Sequence, residues 1–303
     1  MSTLVTGGSG WVGSALLPRL NSPRVLTRHA ARAARAPGLR DIPLVQANLT
    51  HQPVSAGLLE GVTSVVHLAG ESLAGGRWNE AKKRALRESR VTATAHLVES
   101  LLQTDPLPEV AVCASAVGYY GDQGEQWCSE ETPAGHDFLA DLCVDWEHQA
   151  QPLVEAGVRV VWLRFGIILG ADGGALGQMI KPFRMGLGGR LGNGRQWMPW
   201  VALDDVVRLV MFALHTPALQ GPVNAVSPNP VRNADFTRAL GRALGRPAIL
   251  PVPGWALSLA IGEFGQYLLH SQRVRSARLN EVGFEFGSPE IQMTLDQIAG
   301  KRA

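Results

Sequence analysis

The chain has 303 residues, of which 46% are apolar and 18% are charged, and its net charge is +2. This composition excludes a disordered or coiled-coil protein, and no apolar run reaches the roughly 18 residues that span a bilayer. The arginines of the second half are spread along the sequence and do not form the basic stripe of a nucleic-acid-binding surface. We therefore expect a globular protein of one or two domains that binds neither a membrane nor nucleic acid.

The cysteines and histidines predict the compartment and exclude a metal site. Cys113, Cys128 and Cys143 are an odd number without the spacing of metal ligands, and the eight histidines show no metal-ligand pair. The first residues lead directly into an apolar segment that does not resemble a signal peptide. We therefore expect a cytoplasmic protein with free thiols and no bound metal.

The first half alternates short Val-rich segments with helical patterns, which is typical of a parallel sheet covered by helices. The predicted strands are Thr3–Thr6, Arg24–Thr27, Leu44–Ala47, Ser64–Leu68, Val110–Ala114 and Val158–Leu163, with Val223–Val226 joining later. The longest predicted helix starts near Asn79, a good N-cap residue, and ends at about Gln103. A shorter helix is predicted over Val206–Leu214.

The sequence changes character after Leu169, where a glycine-rich stretch is followed by mainly helical segments. This change predicts an α/β fold with a Rossmann-like, doubly wound parallel sheet and a smaller C-terminal substrate lobe. The predicted domains are residues 1–170, with 200–227 returning to the sheet, and residues 171–303.

A glycine-rich turn joins the first predicted strand to a helix. Gly7, Gly10 and Gly13 have the spacing G-x-x-G-x-x-G, which allows a tight turn and brings backbone N–H groups close to a pyrophosphate. A tight turn without a ligand is the alternative. The position of the motif in the first strand–turn–helix unit favours dinucleotide binding.

The end of the second predicted strand distinguishes NAD from NADP. An NAD site places an acidic residue there, whereas an NADP site places a positive group. Here Arg28 follows Thr27, Arg32 and Arg35 come next, and no acidic residue precedes Asp41. NADP(H) is favoured, with a solvated loop arginine as the alternative.

Arg90 lies on the core-facing side of the longest predicted helix, three residues before Ala93 and seven before Leu97. A charge in that position needs a partner, because an unpaired buried charge is costly. A salt bridge with Glu71 and a contact with a cofactor phosphate are the two alternatives.

Three segments, in order, resemble an extended short-chain dehydrogenase/reductase: Thr6–Gly13, His67–Glu71 and Ser115–Asp122. Further segments resemble the YfcH-type epimerase-like family, an atypical branch of the NAD-dependent epimerase/dehydratase superfamily. These segments are Arg77–Glu80, Pro182–Gly189, Gly192–Gln196, Val226–Pro228 and Val231–Asn233. The resemblance covers nearly the whole chain and includes that family's C-terminal domain of unknown function, here at about residues 248–295.

The resemblance implies an NADP(H)-binding sheet with a smaller lobe over the nicotinamide end, and an epimerase or oxidoreductase activity. Together with the glycine motif, it predicts cofactor contacts at Gly7, Ser9, Gly10, Trp11, Val12, Gly13, Thr27, Arg28, Leu68, Ala69, Gly70, Arg90, Gly166 and Ile168.

The proton-transfer pair of the wider superfamily is missing from the sequence. In that superfamily a tyrosine acts with a lysine four residues later, whose ammonium group lowers the tyrosine pKa. None of the three tyrosines here is followed by such a lysine. Alignment of Trp146 and Glu147 with the family's helix puts Leu139 and Cys143 at the two positions. We therefore expect no catalysis by the standard mechanism.

The residues after the fifth predicted strand are the remaining catalytic candidates, because ligands of open α/β sheets bind at the carboxyl ends of strands. Ser115 would polarise a carbonyl group, and Tyr119 or Tyr120 would donate a proton. Packing of the two tyrosines within the turn is the alternative. Glu130 and Glu131 in a polar loop are a further acid/base candidate.

Candidate substrate contacts are Glu71, Arg184, Arg195 and Arg232, with the arginines in loops that present side chains to ligands. If two or more of these arginines converge, the substrate is an anionic small molecule such as a carboxylate, a phosphate or a nucleotide-sugar diphosphate.

Three functions are compatible with these features. The favoured one is an NADP(H)-dependent oxidoreductase or epimerase with a non-standard acid/base group. The second is a catalytically silent NADP(H) sensor or scaffold. The third is an interaction role in cell division, suggested by plastid and cyanobacterial relatives, which predicts an exposed apolar patch around Trp255, Leu257 and Leu259. A homodimer is compatible with each.

Overall fold

The structure, a computed structural model, describes residues 2–36 and 38–300. Its strands are β1 (Ser2–Thr6), β2 (Pro23–Thr27), β3 (Leu44–Gln46), β4 (Val62–His67), β5 (Val110–Ala116), β6 (Trp127–Cys128), β7 (Arg159–Phe165), β8 (Ile167–Leu169), β9 (Trp197–Met198), β10 (Trp200–Ala202), β11 (Gly221–Ala225), β12 (Val231–Arg232) and β13 (Arg273–Val274).

The α-helices are α1 (Trp11–Leu16), α2 (Ala30–Ala33), α3 (Glu80–Arg87), α4 (Ala93–Leu101), α5 (Phe138–His148), α6 (Gln151–Glu155), α7 (Gly174–Arg184), α8 (Leu203–His215), α9 (Asn233–Leu244), α10 (Gly254–Ile261), α11 (Phe264–Tyr267), α12 (Ala277–Glu281) and α13 (Ile291–Ile298). Short 3₁₀ helices cover Leu17–Arg19, Ala56–Leu59 and Val117–Tyr120, and a π-helical turn covers Glu88–Thr92.

Seven parallel strands form the central sheet in the order β3-β2-β1-β4-β5-β7-β11. Successive residues of β1 point to opposite faces, so that Leu4 packs under α4 and α6 whereas Val5 packs under α1 and α8. Burial on both faces explains why β4 is buried at five of its six positions. The predicted strands and the Rossmann-like fold class are therefore confirmed, with ends shifted by at most two residues.

The longest predicted helix contains a π-helical turn. Asn79 caps its start by accepting a hydrogen bond from the Lys82 backbone N–H at 2.9 Å, as predicted. The prediction of one helix to about Gln103 is confirmed, since helical residues continue from Glu80 to Leu101; the π-helical turn adds a local bulge between α3 and α4. Thr94, at the start of α4, donates its hydroxyl proton to the carbonyl oxygen of Arg90 in this turn at 2.6 Å and so competes with the helical backbone hydrogen bonds.

Residues after 170 contribute to two different cores. Helix α8 and strand β11 pack with the central sheet, whereas α7, α9 and α13 share a separate apolar core around Phe183, Trp200 and Phe236. The predicted division near residue 170 therefore stays a prediction. Within the described ranges, no helix has both the length and the apolar character needed to cross a bilayer.

Candidate functional site

The glycine loop brings the carboxyl ends of β1 and β4 against the start of α1. Gly7 has φ = +71°, and a Cβ there would lie 2.8 Å from the backbone of Leu68. The Gly10 N–H donates to the Gly7 carbonyl oxygen at 2.9 Å, and a Cβ on Gly13 would overlap that same carbonyl group. Side chains are therefore excluded at Gly7 and Gly13, which leaves backbone groups exposed to a ligand.

Trp11, the first residue of α1, connects this loop to the segment after β8. Its half-buried indole lies on Gly170, Gly173 and Gly174, where added Cβ atoms would come within 2.6 Å of the ring. The glycines after Leu169 therefore provide the space for this indole. The glycines were visible in the sequence, but their contact with the Trp11 ring was not.

Arg28 follows directly after β2 and is exposed. In the part of the chain that the structure describes, its side chain has no hydrogen-bond or ion-pair partner. Arg32 and Arg35 are exposed in the turn and helix that follow. The guanidinium group of Arg28 is thus available to an anionic group at this edge of the sheet.

Arg90 extends from the π-helical turn towards the end of β4. The salt bridge with Glu71 was one of two predicted alternatives, and the structure contradicts it. Arg90 donates at 2.9 Å to the backbone carbonyl of Glu71, whereas the Glu71 carboxylate accepts from Lys82 at 2.7 Å. The guanidinium carbon would lie 3.2 Å from a Cβ on Gly70. The absence of a side chain at Gly70 therefore makes room for this cation.

The charge of Arg90 has no carboxylate partner within 4.0 Å among the described residues. Its guanidinium group lies over the Trp146 ring at 5.2 Å, and burial lowers its pKa from the usual value. A partly buried cation whose hydrogen-bond acceptors are neutral is a binding group for an anion. This geometry agrees with the second alternative, a cofactor contact, which remains a prediction.

Helix α5 places Leu139 and Cys143 beside the turn that follows β5. Measured from a Cβ built on Gly118, the Leu139 Cβ is 3.4 Å away and the Cys143 Sγ is 3.9 Å away. Burial raises the pKa of the Cys143 thiol to about 12, so that it stays neutral. A leucine and a neutral thiol can supply neither the proton donor nor the cation of the standard pair.

Ser115 is buried in β5, and its hydroxyl donates to Glu147 at 2.6 Å. Glu147 also accepts two hydrogen bonds from Arg164, at 2.8 and 2.7 Å, in a bidentate ion pair. The single hydroxyl proton of Ser115 is therefore already used within the core. The role predicted for Ser115, donation to a substrate carbonyl, is not compatible with this arrangement.

The two neighbouring tyrosines differ in access. Tyr120 is fully buried; its hydroxyl donates to Asn224 at 2.7 Å and accepts from Arg164 at 3.1 Å. Burial raises its pKa to about 12 in spite of the arginine. These contacts leave Tyr120 no free proton for the predicted role of proton donor and agree with the alternative, packing within the turn. Tyr119 is only half-buried, and its ring centroid lies 3.4 Å from the Arg164 guanidinium carbon.

The predicted substrate arginines converge only in part. Arg195 and Arg232 line an open cavity of about 510 Å³ together with Glu125. Glu125 accepts two hydrogen bonds from Arg232, so an incoming anion would have to displace this carboxylate. Arg184 is exposed at the end of α7 and has no described contact with the other two.

Of the two acidic candidates, Glu130 has structural contacts, whereas Glu131 is exposed. Glu130 is buried and accepts hydrogen bonds from the backbone of Asn224 at 2.9 Å and of Ala277 at 3.0 Å. Its role therefore is to hold β11 against the start of α12, and the acid/base interpretation was wrong. In residues 2–36 and 38–300, no three potential ligands cluster as in a metal site.

Two family models match the chain. The NAD dependent epimerase/dehydratase family matches residues 3–226, and the domain of unknown function DUF1731 matches residues 252–298. The chain belongs to the NAD dependent epimerase/dehydratase family. The expected resemblance to epimerase-like proteins with this C-terminal domain is thus confirmed.

Two relatives match over almost the full length of this family member. It is 39% identical to the chloroplastic epimerase family protein SDR39U1 homolog of Arabidopsis thaliana, covering 98% of this chain and 86% of that protein. It is 32% identical to the epimerase family protein YfhF of Bacillus subtilis, covering 100% and 99%. A solved structure of human epimerase family protein SDR39U1 (isoform 2) with NADPH matches with a TM-score of 0.88 at 30% identity, covering all of both chains.

Sequence reasoning missed the buried polar network of this epimerase family member. Arg164, Glu147 and Asn224 connect the carboxyl ends of β5, β7 and β11 through Tyr120. One signal was available: Arg164 lies between the apolar residues Leu163 and Phe165, and a buried arginine requires a partner. Its partner Glu147 lies 17 residues earlier, on a helix, and no local pattern pairs the two.

Proposed function

We propose that this protein binds NADP(H) at the carboxyl edge of the sheet and acts as an oxidoreductase or epimerase on an anionic small molecule. One observation carries the cofactor assignment. Arg28 is exposed and has no partner in the described ranges, and it stands where an NAD site would have a carboxylate. The related human protein, whose structure is with NADPH, supports the same cofactor.

The residues present fit a dinucleotide. The first turn of α1 has no side-chain cap, so its N–H groups are free to contact a pyrophosphate. Arg28 would pair with the 2′-phosphate, and Arg90 with a further oxygen of the cofactor. The remaining predicted contacts are Gly7, Ser9, Gly10, Trp11, Val12, Gly13, Thr27, Leu68, Ala69, Gly70, Gly166 and Ile168.

A bound nicotinamide supplies hydride exchange with a substrate carbon. The proton must then come from the chain, and Tyr119 is the hydroxyl group that remains once Ser115 and Tyr120 are excluded. The Arg164 guanidinium group lies over its ring and holds that ring at the end of β5. Tyr119 therefore takes the proton-donor role without a neighbouring lysine.

The substrate class follows from the arginines at the second lobe. Arg195 is exposed at the open cavity, and Arg232 lies beside it. A phosphate or carboxylate is the group that such a pair binds best. Glu71, whose carboxylate is held by Lys82, is retained as a contact for a substrate hydroxyl, and Arg184 as a peripheral contact.

The test is conversion of a substrate. Purified protein is incubated with a metabolite extract and NADPH or NADP⁺, and mass spectrometry records changes that require the protein. We expect an anionic metabolite to change with the wild type and not with Tyr119→Phe. Tight NADPH binding without any changed metabolite would contradict the enzyme assignment.

The exposed surface of α10 favours a second function, that of a scaffold whose contacts depend on NADP(H). Trp255 is 73% exposed and Leu259 is 68% exposed, one helical turn apart, whereas Leu257 is half-buried. The predicted patch thus contains two of its three residues. Light scattering with and without NADPH tests this function: a mass that depends on NADPH and falls in Trp255→Ser would support a scaffold or a homodimer.

A cytoplasmic location is part of the proposal. Cys113, Cys128 and Cys143 are all buried and unpaired, which suits a reducing compartment. Fractionation of cells that express the protein would test this location.

A further inference from the structure

His67, the last residue of β4, is a buried histidine between two hydroxyl groups. Its Nδ1 lies 2.6 Å from the Thr6 hydroxyl, at the end of β1, and its Nε2 lies 2.9 Å from the Thr94 hydroxyl, in α4. Both hydroxyls are themselves fully buried. One imidazole ring therefore bridges the strand before the glycine loop and the helix after the π-helical turn.

The neighbours of these hydroxyls fix the position of every proton. Thr94 donates to the Arg90 carbonyl oxygen at 2.6 Å, since a carbonyl can only accept, and it receives the Trp146 indole N–H at 3.0 Å. The proton between Thr94 and His67 must therefore sit on Nε2. Nδ1 is then an acceptor, and Thr6 donates to it.

The series of hydrogen bonds continues to the backbone beside the glycine loop. The Ala69 N–H donates to the Thr6 hydroxyl at 3.2 Å, and Thr6 is followed directly by Gly7. The series runs from Ala69 through Thr6, His67 and Thr94 to the Arg90 carbonyl. We call these five residues the His67 relay. Burial lowers the pKa of His67 to about 4, so the ring stays neutral as the relay requires.

Each end of the relay is a predicted cofactor contact. Ala69 lies in the segment that packs against Gly7, and Arg90 carries the cation without a carboxylate partner. Neither hydroxyl contacts the other, because the imidazole lies between them. A neutral imidazole has one donor and one acceptor on opposite sides, so it connects Thr6 to Thr94 and leaves every group in the relay hydrogen-bonded.

We propose that His67 is a positioning residue that holds the glycine loop and Arg90 at a fixed separation, so that both contact one dinucleotide together. This proposal rests on the proposed NADP(H) binding. His67 does not contact the cofactor, and its effect is transmitted by Thr6 and Thr94. Because the relay connects them, the glycine loop and Arg90 are positioned together and not independently of each other.

The experiment compares Thr6→Val, Thr94→Val and the double variant by their Kd for NADPH. We expect each single variant to weaken binding about tenfold, and the double variant to be no more than about threefold weaker than either, because one break already uncouples the ends. If Thr6 and Thr94 acted independently, the double variant would bind NADPH about a hundredfold more weakly, and that result would overturn the proposal.

Matched variants separate positioning from general stability. Ser100→Ala removes another buried hydroxyl of α4, which donates to the His96 carbonyl and accepts from the Val54 N–H. We expect it to lower the thermal midpoint without changing the Kd. Thr94→Ser keeps the hydroxyl and should restore wild-type affinity. Equal weakening in Ser100→Ala, or no recovery in Thr94→Ser, would contradict the relay. A wild type that does not bind NADPH would instead refute the proposed function.

Discussion

Arg164 lies between the Glu147 carboxylate and the Tyr119 ring. Its guanidinium nitrogens donate to both carboxylate oxygens of Glu147, and its guanidinium carbon lies 3.4 Å from the Tyr119 ring centroid. Ser115 and Tyr120, two of the three sequence candidates for catalysis, are bonded to this same pair. The buried pair therefore orients the end of β5 and leaves Tyr119 as the accessible hydroxyl.

The pair gives a prediction about stability. Glu147→Gln leaves the Arg164 charge buried without a carboxylate, and we expect the free energy of unfolding to fall by about 3 kcal/mol. Urea unfolding followed by circular dichroism measures this change. Glu80→Gln, which removes an exposed partner of Lys83, is the control and should change stability by less than about 1 kcal/mol. Equal losses of unfolding free energy in the two variants would show that the buried ion pair stabilises the fold no more than the exposed one.

Cofactor preference depends on Arg28. We expect the wild type to bind NADPH at least about tenfold tighter than NADH, and Arg28→Ala to lose most of this difference, because one charged contact to phosphate is removed. Isothermal titration calorimetry with both nucleotides provides the Kd values. Arg19→Ala removes another exposed arginine and serves as the control. Equal wild-type affinities for the two nucleotides would refute the assignment.

The glycine loop predicts a steric effect. In Gly13→Ala the new methyl group overlaps the Gly7 carbonyl, so helix α1 must move away from β1. We expect a loss of about 1–3 kcal/mol in stability together with weaker NADPH binding. Gly57→Ala has open space around its Cβ and should leave both properties unchanged. Differential scanning calorimetry and nucleotide titration of the two variants make the comparison.

Cys143 is predicted to be dispensable for chemistry. Because its thiol is buried and neutral, Cys143→Ala should lower stability by about 1 kcal/mol through a small cavity and leave NADPH binding and any turnover intact. Turnover by the folded variant is the measurement. Loss of turnover with normal NADPH binding would show that this position takes part in the reaction.

His67 predicts a dependence of stability on pH. Burial lowers its pKa from 6.5 to about 4, so between these values the unfolded chain binds a proton that the folded chain does not. The contribution of His67 is fully present above pH 6.5 and is lost as the pH falls towards 4, by about 3 kcal/mol in total. Urea unfolding at several pH values tests this slope against His67→Gln, in which we expect it to be shallower. Parallel slopes would contradict the assignment.

Elements that depend only on neighbouring residues could be predicted from the sequence. Runs of valine predicted the strands of the central sheet, and Asn79 predicted a helix start, because burial on both faces and capping are local requirements. The glycine motif and Arg28 were also visible, since each follows a strand directly. These residues predicted the fold and the candidate cofactor edge, whereas the family followed from the resemblance of longer segments such as Pro182–Gly189.

Which hydroxyl groups and which charged groups lack a hydrogen-bond or ion-pair partner depends on the tertiary structure. Tyr120 follows Tyr119 directly and Ser115 lies four residues before it, yet their hydroxyl groups donate to Asn224 and Glu147 from distant elements. An ion pair between Glu71 and Arg90 was compatible with the sequence, but in the structure the Glu71 carboxylate pairs with Lys82. Desolvation makes each buried polar group take a partner, and that partner is set by the packing of helices and strands far apart in the chain. Local sequence patterns carry no information about such pairings.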